Sequence, residues 1–342
     1  MMPDSPLLDS SPVLPVRNGA AASDPHEPVD DLLARVGVAP GETAEGAPPC
    51  EIAAKELPTG YRLLHYSIVR PLGSGGFGIT YLAHDEHLER DVVIKESFPN
   101  SICHRRSGTL DVELNEEESR EVYEWATRNF LREARLLSTL DHPNIARVYA
   151  YFAAHKTAYY ITEYIDGHSL AEVSLDYDRH HMAIPQEALY GMMVRVLDAL
   201  AYLHGKKLLH RDIKPDNILV NRQGYPMLID FGAAREEYGD LGNSVVESQG
   251  FSPSEQSVPG GNMGPWTDLY AFGATLYYIL TNECLPNCRM RELSDTVEPL
   301  VRNARLRRLY HPRLLASIDR AIRPSIEQRY RSVDEWMADL HL

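Results

Sequence analysis

The run His210-Arg211-Asp212-Ile213-Lys214-Pro215-Asp216-Asn217 constrains this chain more than any other stretch. Leu208-Leu209 precedes it and Ile218-Leu219-Val220 follows, so a strongly polar loop is held between two apolar, strand-like segments. Polar side chains on a loop keep a working geometry only when a rigid frame carries them. Asp212 is a carboxylate able to take a proton from an attacking hydroxyl. Asn217 offers a neutral oxygen suited to a hard cation such as Mg²⁺. Lys214 can set a positive charge against a migrating phosphoryl group. Base, cation and metal ligand in one loop describe phosphoryl transfer, in which a protein mainly positions groups and neutralises charge.

Upstream, Tyr66-Ser67-Ile68-Val69-Arg70 reads as a strand, followed by Leu72-Gly73-Ser74-Gly75-Gly76-Phe77-Gly78 and a second strand, Ile79-Thr80-Tyr81-Leu82. The spacing G-x-G-x-x-G also occurs in dinucleotide sites, but there it opens a helix. Here a β-branched and aromatic run follows, so the loop closes a hairpin, and its glycines let backbone N–H groups lie close over phosphates. Val92-Val93-Ile94-Lys95 is a short strand ending in a lysine. A helical pattern runs from Glu116 to Leu140, with Val122, Ala126, Phe130, Ala134 and Leu137 as its apolar stripe, and Asp141-His142-Pro143 stops it. Residues 100 to 115 read as a polar insertion. Val148 to Phe152 and Ala158 to Ile165 pair as strands. Pro185 opens a helix with Leu189, Met193, Val196, Leu200 and Leu203 on its core face, ended by Gly205. Met227-Leu228-Ile229 delivers Asp230-Phe231-Gly232, and Leu269 to Leu280 is a buried core helix.

In combination these motifs resemble the protein kinase family, in its bacterial, eukaryotic-like serine/threonine form. The resemblance covers residues 61 to 342. It implies an α+β, two-lobed fold, with a small β-rich lobe (61–165) holding one main helix and a larger α-helical lobe (166–342), and ATP between them. It implies further that Gly73, Ser74, Gly75, Gly76, Phe77 and Gly78 form a lid over the nucleotide, with Val93 under it. Lys95 would grip the α- and β-phosphates, paired with Glu133. Thr162, Glu163 and Ile165 would form the hinge that meets adenine. Asn217 and Asp230 would bind Mg²⁺, Asp212 would accept the hydroxyl proton and Lys214 would stabilise the phosphoryl in flight. Ser248 would touch Asp212 and Lys214, Asp268 would anchor the catalytic loop, and Arg329 would pair with Glu255. Two departures stand out: Thr80 where the family often has valine, and Ser252-Pro253-Ser254-Glu255 where it has A-P-E. The expected activity is serine/threonine phosphorylation of proteins, with autophosphorylation, Ser244 being the candidate site. The alternatives on the same fold are a catalytically silent scaffold and a small-molecule phosphotransferase.

Residues 1 to 58 form a different region. They carry 10 of the 23 prolines and 10 acidic residues against Arg17, Arg35 and Lys55, a net of −7. Such a composition predicts a disordered acidic tail, leaving 59–342 as the folded domain. The whole chain, with 34 basic and 49 acidic residues, has a net charge of −15, which argues against nucleic acid as a main partner. Residues 289 to 331 run the other way, with 11 arginines, no lysine and five acids. Arg302, Arg305, Arg307 and Arg308 are the densest part, and an acidic partner, or the tail itself, is expected there. Four cysteines without a C-x-x-C pair suggest reduced thiols and a cytoplasmic setting, and no apolar run is long enough to span a bilayer.

Overall fold

Alternating residues between Tyr66 and Ser97 place one apolar set inward, and the strands they form are antiparallel. The computed structural model describes residues 55–340 apart from 77, 107–108, 232–234, 237–247 and 259; for 235 and 236 it describes the backbone alone. The strands of the first lobe are β1 (Arg62–Leu63), β2 (Tyr66–Ser74), β3 (Gly78–Asp85), β4 (Arg90–Ser97), β5 (Cys103–Arg105), β6 (Val112–Leu114), β7 (Val148–Ala154) and β8 (Thr157–Glu163). Six of them make one sheet in the order β1-β2-β3-β4-β8-β7, while β5 and β6 form a separate hairpin. Helix α1 (Arg120–Leu137) packs on the sheet through β8 and β7.

Period-two alternation gives β4 two distinct faces. Val92, Ile94 and Glu96 are buried on one side, and Val93 and Lys95 turn to the other. In register, Thr80 of β3 lies directly across from Lys95, and Tyr160 of β8 flanks it on the other side.

The second lobe is helical. Its elements include β9 (Gly167–Ser169), α2 (Leu170–Arg179), α3 (Gln186–Gly205), β10 (Leu208–Leu209), β11 (Ile218–Asn221), β12 (Pro226–Leu228) and α4 (Pro265–Thr281). Leu189, Met193, Val196, Leu200 and Leu203 are all buried, as the spacing in α3 predicts. Helix α4 is buried on almost every side, which is why its sequence is apolar throughout rather than along one stripe. Leu269, Phe272 and Leu276 share a core with Leu314, Ile318 and Trp336. Among the described residues no helix is long and apolar enough to cross a membrane.

Four local expectations change. The folded region starts before residue 59: Leu57 is only 2% exposed and its N–H donates to the Tyr81 hydroxyl at 3.1 Å. Of the expected tail, residues 1–54 lie outside the described residues. The insertion at 100–115 is not merely polar, since it forms the β5–β6 hairpin with Cys103, Arg105 and Val112 buried. The buried stripe of α1 is Tyr123, Thr127, Leu131, Ala134 and Leu137, so its first half is displaced by one residue and Val122 is 55% exposed. Tyr123 takes the inward place because its hydroxyl donates to the Lys156 carbonyl at 2.7 Å. Finally, Pro185 caps α3 rather than beginning it.

The hairpin closes over the inner face of β4. Arg105 Nη2 donates to both carboxylate oxygens of Glu96, at 2.8 and 2.7 Å, and Arg105 Nε donates to the Lys55 carbonyl at 2.9 Å. Tyr81 and Tyr159 hydroxyls donate to Glu96 as well, at 2.7 and 2.6 Å. Burying two ions costs several kcal/mol each, about the scale that only a fully hydrogen-bonded pair offsets. All four groups are buried, and between them they saturate the carboxylate. The chain's first described residues, the insertion and the strand bearing Lys95 are thereby joined at one point.

Candidate active site

The loop at 210–217 is fixed by a buried carboxylate. Asp268, in the first turn of α4, accepts the His210 N–H at 3.0 Å and the Arg211 N–H at 2.9 Å, and His204 Nε2 lies 2.8 Å from it. Burial opposes its ionisation, but these hydrogen bonds and the imidazoles of His204 and His210 outweigh burial and hold its carboxyl below the ordinary value. The His210 ring is fully buried, with its pKa lowered by that burial, and it packs 4.4 Å from the Phe231 ring. Arg211 takes a left-handed backbone conformation, φ 66°, which turns the chain sharply just before Asp212.

That turn gathers the predicted groups. Lys214 Nζ lies 2.8 Å from Asp212 Oδ2 and 3.1 Å from Oδ1. Asn217 Nδ2 donates to the same Oδ2 and to the Asp212 carbonyl, both at 2.8 Å. The Ser248 hydroxyl donates to Asp212 Oδ1 at 2.7 Å and accepts from Lys214 at 3.3 Å. Since Asn217 spends its amide nitrogen on Asp212, its oxygen is the group left for a cation. Glu255 and Arg329 form a buried ion pair at 2.8 Å, as expected, and Thr267 donates to the same carboxylate oxygen at 3.2 Å.

Across the cleft one expected pairing is replaced. Lys95 Nζ is 2.8 Å from Asp230 Oδ1, and among the described residues it makes no ion pair with Glu133. Glu133 instead accepts from the Tyr160 hydroxyl at 3.0 Å. Tyr160 stands beside Lys95 in the sheet, with its ring centroid 5.7 Å from Nζ, so it fills the place between lysine and glutamate. Burial pushes the Glu133 carboxyl up to about 7, Lys95 pulls it down and Asp230 raises it further.

The site fits a nucleoside triphosphate with Mg²⁺. A Cβ built on Gly73 or Gly76 meets nothing within 4 Å, so the lid borders open space, whereas at Gly78 it would come 2.6 Å from the Glu96 carbonyl oxygen. Phe77 and Gly232 lie outside the described residues. Glu163 gives its N–H to the Arg147 carbonyl at 2.9 Å, and its own carbonyl accepts the Thr162 hydroxyl at 3.5 Å. Thr162 and Val93 are paired in adjacent strands at the same level. No cluster of three or more His, Cys, Asp or Glu suited to a metal occurs among the described residues. Asn217 and Asp230 each carry a side-chain oxygen of the kind that would hold Mg²⁺ where phosphates complete its shell.

Two residues near this chemistry were not singled out from sequence. Tyr160 is one. Gln256 is the other: its Nε2 donates to the Arg211 carbonyl at 2.5 Å. The only sequence signal for either is adjacency, Tyr160 to the hinge and Gln256 to Glu255.

Comparison with known proteins bears on the fold and family of this chain. A family model described as "Protein kinase domain" matches residues 66–303. Serine/threonine-protein kinase PknA of Nostoc sp. is 32% identical over 81% of this chain and 47% of its own length. Serine/threonine-protein kinase PrkC of Bacillus subtilis is 30% identical over 80% of this chain and 40% of its own length. This chain therefore spans about half the length of such relatives or less. A solved structure titled "PpkA-294 apo form" superposes with a TM-score of 0.74 at 34% identity, covering 84% of this chain and 100% of that one. The PknI kinase domain of Mycobacterium tuberculosis shares the fold, with a TM-score of 0.56 at 22% identity over 83% of this chain and 97% of that one.

The raised Glu133 carboxyl has a consequence for stability. A carboxyl whose folded value lies above its ordinary 4.5 favours the fold when protonated, and that contribution fades as pH rises toward about 7. Glu133→Gln has nothing to titrate there. Melting temperatures measured from pH 4.5 to 8 should show the wild type losing ground to the variant up to about pH 7 and running parallel above it. Parallel curves throughout would contradict the assignment.

Proposed function

Because this chain belongs to the protein kinase family, in its bacterial, eukaryotic-like serine/threonine form, we propose that it transfers the γ-phosphoryl of ATP to serine or threonine hydroxyls of protein substrates. The observation that carries this reading is the convergence of Lys214, Asn217 and Ser248 on the Asp212 carboxylate. Asp212 takes the proton of the acceptor hydroxyl at Oδ1 or Oδ2, and three neighbouring donors fix the direction of that carboxylate. Lys214, within reach of both Asp212 and Ser248, sets its charge where the phosphoryl group passes. Lys95 would hold the phosphates under the glycine lid, Glu163 and Ile165 the adenine, and Asn217 and Asp230 the Mg²⁺. The metal, when bound, supplies neutralisation of the charge on the transferring group.

Radiolabelled ATP offered with protein and with small alcohols tests the reading. Label should pass to serine or threonine of protein. Asp212→Asn should lower the rate at least ~10²-fold, the loss expected of a positioned base, with ATP affinity changed only slightly. A variant that kept more than about a tenth of the wild-type rate would contradict the role of Asp212.

The arginine-rich stretch supports a partner class. Of its arginines, Arg291 pairs with Asp295, Arg320 with Glu335 and Asp339, and Arg329 with Glu255. Arg302, Arg305, Arg307 and Arg308 are exposed and enter no ion pair among the described residues. Their charge suits an acidic segment, and residues 1–54, with nine acids against two arginines, are such a segment. Since Leu57 belongs to the core, the informative truncation removes residues 1–54 and spares 55–58. It should raise activity at low salt, and the difference should fade toward 0.15 M, where the screening length is about 8 Å. Equal activity at low salt would contradict contact between the tail and this face.

A further inference from the structure

Arg211 is the strained point of the catalytic loop, a non-glycine residue at φ 66° directly before Asp212. A backbone held in that region needs its peptide groups tied down on both sides. The ties divide cleanly. Asp268 owns the two upstream N–H groups, those of His210 and Arg211. Asn217 owns the downstream carbonyl, that of Asp212. Between them lies the peptide joining Arg211 to Asp212. Its N–H reaches His210 Nδ1 at a long 3.4 Å, and its carbonyl accepts from Gln256 Nε2 at 2.5 Å. Gln256 thus restrains the orientation of this peptide plane through a short hydrogen bond, and hence the direction in which Asp212 leaves the backbone.

Gln256 is itself well held. It is 4% exposed, its N–H donates to the Pro253 carbonyl at 3.1 Å, and its neighbour Glu255 is locked to Arg329 and Thr267 in the core of the helical lobe. The same short segment carries Ser248, whose N–H donates to the Ser252 hydroxyl at 2.9 Å. Two links therefore run from residues 248–256 to the catalytic loop: one to the Asp212 carboxylate through Ser248, the other to the backbone behind it through Gln256.

We propose that Gln256 is a positioning residue for phosphoryl transfer, holding the Arg211 carbonyl so that the left-handed turn presents Asp212 to the acceptor hydroxyl. This rests on the reading of Asp212 as the proton acceptor. The consequence is a mechanical tie: the segment that ends at Glu255 fixes the catalytic loop from behind, and displacement of that segment releases the aspartate even with Asp268 in place.

The test compares Gln256→Met, which keeps the volume and removes the donor, with Gln256→Glu, which keeps the shape and sets a second acceptor against the carbonyl. Both are measured beside the wild type and Asp212→Asn, for kcat, for KM toward ATP and toward a protein substrate, and for Tm. Gln256→Met should lose about tenfold in kcat, the worth of one hydrogen bond to a half-buried carbonyl, and Gln256→Glu more. Both KM values should stay within about twofold, since the change falls on the backbone behind Asp212 and not on the groups that would hold the nucleotide. An unchanged kcat in the Met variant would overturn the assignment, as would a loss appearing in KM. A Met variant too unstable to assay would also overturn it, by making the contact a matter of stability alone. A wild type that transfers no phosphoryl group would instead refute the reading of the site as a kinase centre.

Discussion

A single buried carboxylate, that of Asp268, holds the rest of the active site in place. An ionised group inside the helical core is unfavourable unless every lone pair finds a donor. Here the donors are the backbone N–H groups of His210 and Arg211, with His204 beside them. The cost of burying the charge is therefore offset only when the loop adopts one conformation. The electrostatics of the core dictate the geometry of the surface. Asp212, Lys214 and Asn217 all follow from that conformation within a few residues, which is why a run so polar can sit between two apolar strands without wandering.

The other half of the cleft is arranged by strand alternation. Lys95 and Val93 share one face of β4, and Ile94 and Glu96 share the other. The outward lysine stands free to meet Asp230, while the inward glutamate is locked by Arg105 and two tyrosine hydroxyls. Two charges adjacent in sequence thus serve opposite purposes, one meeting Asp230 and one welding the strand to the insertion hairpin. Tyr160 then stands between Lys95 and Glu133, and burial pushes the Glu133 carboxyl up to about 7 against the pull of Lys95. The cleft's charge balance accordingly involves three carboxylates and two lysines rather than isolated pairs.

Much of this was legible in the sequence, and the parts that were not share a cause. The glycine hairpin, the strand ending in Lys95, the catalytic loop and the buried α4 all announce themselves through local period or local composition. The Asp212, Lys214, Asn217 and Ser248 cluster could be drawn from motif alone, and the structure brings those side chains together. Gln256 and Tyr160 could not be read, because their roles lie in contacts across 45 and 27 residues of chain that no periodicity encodes. The α1 stripe was displaced because Val122 and Tyr123 both satisfy an apolar pattern, and only the reach of a hydroxyl to Lys156 separates them. Arg105 looked like part of a polar insertion because its partner, Glu96, lies inside the sheet, where a charged residue reads as surface until the pairing is known.

The central claim is that Asp268 sets the catalytic loop, and amide hydrogen exchange at residues 208–213 addresses it directly. In the wild type the His210 and Arg211 amides should exchange as slowly as the core of α4. In Asp268→Asn, which keeps the shape and removes the charge, they should exchange at least about tenfold faster, the signature of local rather than global opening. The β3–β4 strands should be unchanged and serve as the internal reference. Equal protection of the loop in both proteins would contradict the account.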